Sequence, residues 1–350
     1  MHKNCIEKGF VMQGSPKTTR RNSRMKKILA LVLALMLVVS LGACGKTAEN
    51  VEKKDTNTVA VGAVVIARDD IPEDEIYAFV STLFENKATI AQQHGKGNEM
   101  DLNFASSVTS VPYHPGAAKY FAEKGITVAS VKEGAGVGQP VDMAFGTGGE
   151  SGTYYGFGGV LASYVSNNTD YNVTAVTSGG SKANIEDLTA GDVQLGFVQS
   201  DVMSYAYNGE RLFDSKVDGF SVVCALYMEQ VQIVTTDGKI QSVADLKGKK
   251  VSIGAIGSGV YFNAIDVLQA YGMTESDIKP VYQSFGDSAD SLKDGKISAA
   301  FIVAGAPTTA ITDLATTGNV YLVGLDESHT NSLLAASPFY SAYTIPAGTY

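Results

Sequence analysis

The feature that most constrains this chain is a repeated pattern: an apolar run, then a loop of small polar residues, then a helix-like segment. It first appears at 141–145, followed by GTGGESGTYYGFGG at 146–159 and a helical stretch over 160–165. It recurs at 173–176 with loop 177–181 and a helix over 182–190, and at 195–198 with Gln199, Ser200 and Asp201 opening a helix. It recurs again at 251–254 with loop 255–259 and a helix over 260–271, and at 299–303 with loop 304–308. Segments 222–226, 231–235, 320–325 and 343–345 read as further strands. Upstream, TVAVGAVVIA at 58–67 is a β-branched run that reads as a buried strand. Asp70-Ile71-Pro72-Glu73-Asp74 then starts a helix with Ile76, Phe79, Val80, Leu83 and Phe84 on one face. A short helix over 117–124 closes at Gly125, and 131–139 is a glycine-rich linker. Strand–helix alternation predicts an α/β fold of open, mostly parallel sheets flanked by helices. Ligands of such sheets bind beyond the carboxyl ends of the strands, where all five loops fall.

The loops carry a chemistry. Glycines let a backbone approach a ligand, and helix N-termini offer unpaired N–H groups to an anion. Ser151, Thr153, Tyr154 and Tyr155 add hydroxyls to the first loop. That loop lacks the Gly-Lys-Ser/Thr ending of a P-loop, and it lacks a clean G-x-G-x-x-G with a following acid. A small anion such as a carboxylate therefore fits better than a nucleotide phosphate. Five loops rich in N–H and hydroxyl donors together point to a cleft for a polar ligand.

Charge and composition narrow the function further. The formal net charge is −9, and without a basic stripe nucleic acid is excluded as a partner. Beyond residue 44 the arginines are Arg68 and Arg211, so bidentate guanidinium recognition is scarce. His94, His114 and His329 are scattered, without metal-ligand spacing. No G-x-S-x-G elbow is present. The chain reads as a non-enzyme that needs no cofactor or metal.

The N-terminal region speaks of export. Met25-Lys26-Lys27 precedes an apolar run over 28–41 and then Leu41-Gly42-Ala43-Cys44. A run this short with basic flanks is a signal segment and not a spanning helix. A cysteine after Leu-Gly-Ala resembles the bacterial lipoprotein signal, which implies cleavage before Cys44 and a lipid on its sulfur. Residues 1–24 read as an upstream extension outside the fold, and 45–55 as a polar tether. About 300 residues follow Cys44, enough for two lobes. Cys224, alone in FSVVCALY, reads as a small buried hydrophobe, and no internal disulfide is expected.

GTGGESGTYYGFGG, TSGGSKANIEDLTAGDVQLGFVQSDV and ADLKGKKVSIGAIGSGVYFNAIDVLQAYGM closely resemble the TAXI-type solute-binding receptors of TRAP transporters. The resemblance implies a two-lobed clamshell like the type II periplasmic binding proteins, with two hinge strands. It would close on a small solute outside the cytoplasmic membrane and deliver it to a permease driven by an ion gradient. Family ligands are small organic anions and amino acids, including glutamate-like and 2-oxoacid dicarboxylates. One departure stands out: TVAVGAVVIARDDIPEDEIYAFVSTLFEN and VPYHPGAAKYFAEKGI look like the family's C-terminal end, yet here they come first. In the family, a segment like YTIPAGTY leads into that TVAVGA strand. The chain therefore reads as a circular permutation, which is tolerated where native ends are close and the new break is exposed. The expected layout is lobe one over 56–230 and, over 231–350, a hinge strand, lobe two and a return strand. Within lobe one, 56–128 would be the family's C-terminal segment, 129–140 a linker and 141–230 the family's N-terminal segment. Tyr350 and Asp55 should then be neighbours.

By motif match, lobe one supplies Gly149, Ser151, Thr153, Tyr154, Ser178, Gly179, Ser181, Gln199 and Ser200 to the cleft. Lobe two supplies Ser258, Gly259, Ala304 and Pro307. Tyr154 would stack on or hydrogen-bond the ligand, or pack against the lobe surface. Asp201 and Glu150 are candidates for a ligand ammonium, with a helix-terminal charge and a solvated turn as their plainer roles. Arg68 would reach the hinge side of the cleft or pair with its acidic neighbours. A lipid-anchored sensor domain that signals to a partner protein is the alternative to a transport receptor. An enzyme built on the clamshell is a third reading, weakened by the sparse catalytic residues.

Overall fold

The computed structural model describes residues 54–350. The signal segment, Cys44 and the tether up to residue 53 lie outside the described residues. Ten strands form one sheet: β1 (Thr56–Arg68), β2 (Met143–Gly146), β3 (Val173–Val176), β4 (Leu195–Gln199), β5 (Phe220–Thr235), β6 (Lys250–Ser252), β7 (Lys279–Val281), β8 (Ala299–Ala304), β9 (Tyr321–Leu322) and β10 (Ser341–Ile345). The main path runs β3-β2-β4-β1-β5-β8-β6-β7, with β10 beside β1 and β9 beside β5. The helices are α1 (Glu73–Glu85), α2 (Lys87–Gln93), α3 (Leu102–Ala105), α4 (Pro115–Glu123), α5 (Thr153–Asn168) and α6 (Ser181–Ala190). They continue with α7 (Ser200–Asn208), α8 (Val260–Ala270), α9 (Phe285–Lys293), α10 (Thr309–Thr317) and α11 (Glu327–Ala336).

Two long antiparallel strands organise the molecule. β1 has 13 residues and β5 has 16, and they pair from Ala60↔Gln230 to Arg68↔Phe220. One edge of β1 is divided: Ala63 to Ala67 pair with β4, while Thr56 to Ala60 pair with β10. The core divides in the same way. Ala63 to Ala67 join a cluster with Phe79, Phe145, Phe157, Phe197 and Leu226. Val59 and Val61 join another with Val231, Ile233, Val251, Val267 and Phe301. Val234, Ile302, Ile311 and Leu314 build a third cluster. Each half therefore holds its own parallel strands, β3-β2-β4 in one and β7-β6-β8 in the other. The chain passes between the halves along β1 and β5. Strands covered on both faces read as continuous apolar runs, which is why TVAVGAVVIA has no polar alternation.

Local chemistry accounts for the elements. Pro72 precedes α1, Glu73, Asp74 and Glu75 fill its first turn, and Ile76, Phe79, Val80 and Leu83 are buried. β5 differs from the sequence expectation of two strands, because Met228-Glu229-Gln230 does not interrupt it. The polar side chains there are buried with partners. Tyr154 donates to Glu229 at 2.6 Å, and Gln230 accepts from the Ala306 N–H at 2.7 Å. Segment 320–325 narrows to the two-residue β9. The glycine-rich stretch around 131–139 is pinned down. The Gly136 N–H donates to the Asp69 carbonyl at 2.8 Å, and the Glu73 N–H to the Gly136 carbonyl at 3.0 Å. A Cβ at position 138 would sit 1.6 Å from the Asp70 carbonyl oxygen, so only glycine fits. Thr56 lies opposite Ile345, and the Ala347 N–H donates to Asp55 at 2.8 Å.

Candidate functional site

A cavity of about 360 Å³ is lined from both halves of the sheet. Four helices point their N-termini at it. They are α5 after Gly152, α6 after Gly180, α8 after Gly259 and α9 after Ser284, and each runs nine residues or more. Each terminus brings unpaired N–H groups and the positive end of a helix dipole. The strands aim them there: β2, β3, β6 and β7 deliver their carboxyl ends to the loops that open α5, α6, α8 and α9, as open α/β sheets do.

Of the residues expected at the cleft, Gly149, Ser151, Thr153, Tyr154, Ser178, Gly179, Ser181, Gln199, Ser258, Gly259 and Ala304 line the cavity. Ser200 and Pro307 do not. The Ser200 hydroxyl instead accepts the Gly62 N–H at 3.1 Å, at the middle of β1. Pro307 is exposed, after a cis peptide bond with Ala306. Several hydroxyls are engaged in holding the loops. Ser178 donates to the Thr147 carbonyl at 3.2 Å, Ser181 accepts from the Gln199 N–H at 3.1 Å, and Thr153 donates to the Gly305 carbonyl at 3.0 Å. Ser258 Oγ and Gln199 Oε1 are buried, line the cavity and have no hydrogen-bond partner. A Cβ on Gly259 would sit 1.4 Å from Gln199 Oε1, so a larger residue there would have to displace the Gln199 amide.

Direct contacts draw the halves together around the cavity. The Ala310 N–H donates to the Ser151 carbonyl at 3.2 Å, and the Ala183 N–H to the Gly257 carbonyl at 3.0 Å. Asn263 of α8 is the centre of a buried network. It accepts from Gln199 at 2.8 Å and donates to Asp201 and to the Tyr340 hydroxyl, both at 2.9 Å. Tyr340 donates to Asp266, which Arg211 also reaches at 2.8 Å.

For two residues whose roles were open in the sequence, the plainer role is the one seen. Asp201 is fully buried and committed to Asn263, not set out in the cleft. Burial pushes its carboxyl up to about 6, with Asp266 adding repulsion. Arg68 is paired with Asp70 and lies off the cavity. Glu150 does line it, exposed. Among the histidines, His94 packs at a tilt against Phe157, His114 caps α4 and His329 pairs with Asp326. None of them lines the cavity.

The structure adds residues that sequence reasoning missed. Glu229, in mid-β5, lines the cavity at 2 % exposure. Burial raises its carboxyl to about 8 against the lowering effect of the Tyr154 hydrogen bond. Tyr154 lies flat on Phe197, with ring centroids 4.7 Å apart and planes 6° from parallel. Phe285, Gly286, Asp287 and Asp290 come from the start of α9. A sequence signal existed for that helix: Ser284 followed three residues later by Asp287 is a capping pattern, and Ser284 Oγ accepts the Asp287 N–H at 3.1 Å. No local signal marks Glu229 as facing a cavity. Among the described residues no group of side chains is arranged to hold a metal, and no helix is long and apolar enough to cross a membrane.

Fold and site together define an α/β protein built on one mixed sheet, with a solute-sized cavity lined from both halves of that sheet. The NMT1-like family profile matches residues 39–125 and 145–350, and the chain belongs to that family. Solved structures with some similarity include the alkanesulfonate-binding protein SsuA from Xanthomonas axonopodis pv. citri bound to MOPS. Its identity is 19%, over 61% of this chain and 67% of that one, with a TM-score of 0.39. The substrate-binding protein of an amino acid ABC transporter is 13% identical over 59% of this chain and 86% of its own, at a TM-score of 0.38. A putative L-cystine ABC transporter from Listeria monocytogenes is 18% identical over 59% and 84%, at a TM-score of 0.37.

Proposed function

We propose that this chain is an extracytoplasmic solute-binding receptor of the TAXI type. It captures a small organic anion or amino acid and hands it to a TRAP permease driven by an ion gradient. The observation that carries the reading is the convergence of four helix N-termini on one cavity, beside the unpartnered Ser258 Oγ and Gln199 Oε1. Backbone N–H groups and hydroxyls there would hold a carboxylate without an arginine. Closure of the halves about β1 and β5 would exclude water from it. The residues proposed to touch the ligand are those of the expected set that line the cavity. Cys44 is proposed as the lipid attachment point, which would keep the receptor at the outer face of the cytoplasmic membrane.

The experiment is a thermal melt of residues 45–350 against amino acids and C4–C6 dicarboxylates. A true ligand at a hundredfold excess over Kd adds about 2.7 kcal/mol of stability and raises the midpoint. A cooperative melt that no compound shifts would count against the reading. Replacing Cys44 with Ser should release the full-length protein from the membrane fraction; retention would rule out the lipid anchor.

The permuted order is part of the same proposal. It is supported by the pairing of Thr56 with Ile345, by the Asp55–Ala347 hydrogen bond, and by the family match falling in two segments that leave out 126–144. A chain rebuilt to start at Val141 and to run through Tyr350 into Asp55 should then melt cooperatively with the same ligand response. Failure of that chain to fold, beside a folded original, would count against permutation.

A further inference from the structure

The cavity lining has a conspicuous imbalance of charge. Among the described residues it contains Glu150, Glu229, Asp287 and Asp290, and no Lys, Arg or His. A dicarboxylate would meet this wall with a second negative charge. Helix N-termini and glycine loops satisfy one carboxylate well, but they leave the acidic side of the cavity without a counterpart.

Glu229 is the group that most needs one. It is 2 % exposed, and Tyr154 hydrogen-bonds one of its oxygens at 2.6 Å. Tyr154 is itself fixed on Phe197, so the carboxylate is held in one orientation. Among the described residues no lysine or arginine hydrogen-bonds Glu229. Lys96, a cation whose charge reaches Glu229, is engaged with Glu99 and lies 5.5 Å from the Tyr227 ring centre. Burying a carboxylate without a partner is costly, and a group carried by a ligand can supply the missing partner. Asp201 is not a competitor, because it does not line the cavity, and Asn263 donates to its Oδ2. The exposed acids at the mouth add a negative field that draws cations and repels dianions.

We infer that the occupant carries an ammonium group as well as a carboxylate, and that Glu229 selects it, so the ligand class is zwitterionic amino acids and not dicarboxylates. The carboxylate sits at the helix N-termini, and the ammonium donates to the Glu229 oxygen that faces the cavity. The assignment rests on the reading of the chain as a solute receptor. It narrows that reading's ligand to one of two classes.

The test is calorimetric titration of the chain from Gly45 on, which holds all the described residues. The probes are the common L-amino acids, each matched with the acid lacking its amine: glutamate with glutarate, aspartate with succinate, leucine with 4-methylpentanoate. For the pair that binds, loss of the amine should weaken affinity about 100-fold or more, as expected where a buried polar group loses its partner. Glu229→Gln keeps an acceptor for Tyr154 and should weaken the amino acid about 100-fold while sparing the amine-free acid. Glu229→Asp keeps the charge and should retain the preference for the amine; it decides the matter if the glutamine variant fails to melt cooperatively. An amine-free acid that binds within about tenfold of its amino acid, or wild-type affinity in Glu229→Gln, overturns the assignment and leaves the receptor reading standing. A folded protein that binds no member of any pair overturns both.

Discussion

Glu229 couples this protein's stability to pH. Its ordinary value is 4.5, and burial raises it to about 8 in the folded state. The unfolded chain ionises first as pH rises. The stability contributed by the neutral group is full below 4.5 and is lost as pH climbs through about 8. Tyr154 on α5, Tyr227 on β5, Lys96 and Asp201 are the titratable groups that face it. Asp201, raised to about 6, adds a loss of the same sign at lower pH. The melting midpoint of the ligand-free protein should therefore fall between about pH 5 and pH 8, and Glu229→Gln should flatten much of that fall. An equal slope in the variant would place the titration elsewhere. An ammonium ligand favours the ionised carboxyl, so binding near pH 7 should release a proton. Titrations in two buffers of different ionisation enthalpy would read it as a difference in apparent heat. Gly259 makes a second prediction at this scale. An alanine Cβ there would overlap the Gln199 amide, so Gly259→Ala should cost about 1–3 kcal/mol by chemical denaturation.

At the scale of elements, the β1–β5 ribbon is the part on which both halves depend. Ser200 of α7 braces its midpoint by accepting the Gly62 N–H. Ser200→Ala should lower stability by about 1 kcal/mol, measured by denaturant titration, with the ligand contacts left in place. The β1 strand was readable from sequence because a strand buried on both faces spells out one unbroken β-branched run. β5 was only half readable, since Met228-Glu229-Gln230 looks like a break until the partners of those side chains are known. Tyr154 lies 75 residues away from Glu229 in sequence, and no local pattern encodes such a contact. The glycine loops were legible for the opposite reason, because their role depends on backbone freedom that composition displays directly. The start of α9 falls between these cases. Its capping signal was present, but nothing in FGD marks a cavity wall. Ser200 and Pro307 were placed in the cleft by position in their loops. One hydroxyl turned to the ribbon, and the ring of the other residue faces solvent.

At the scale of the molecule, the Asn263 network joins α7 and β4 of one half to α8 and the Tyr340 region of the other. Asn263→Ala would strand the Gln199 and Asp201 groups it now satisfies. The ligand-free variant should open, with a larger radius of gyration by small-angle scattering, and saturating ligand should restore the compact value. An unchanged radius would show that the network does not hold the halves. The ribbon that joins them has a further consequence. Two hydrogen-bonded strands bend and twist readily, but they do not stretch or slide past one another. The relative movement of the halves is thereby reduced to little more than one angle. Occupancy of a sealed cavity is invisible from outside, whereas an angle is not. A partner that touches both halves at once reads the bound state as a change in the spacing of its own two footholds, without ever meeting the ligand.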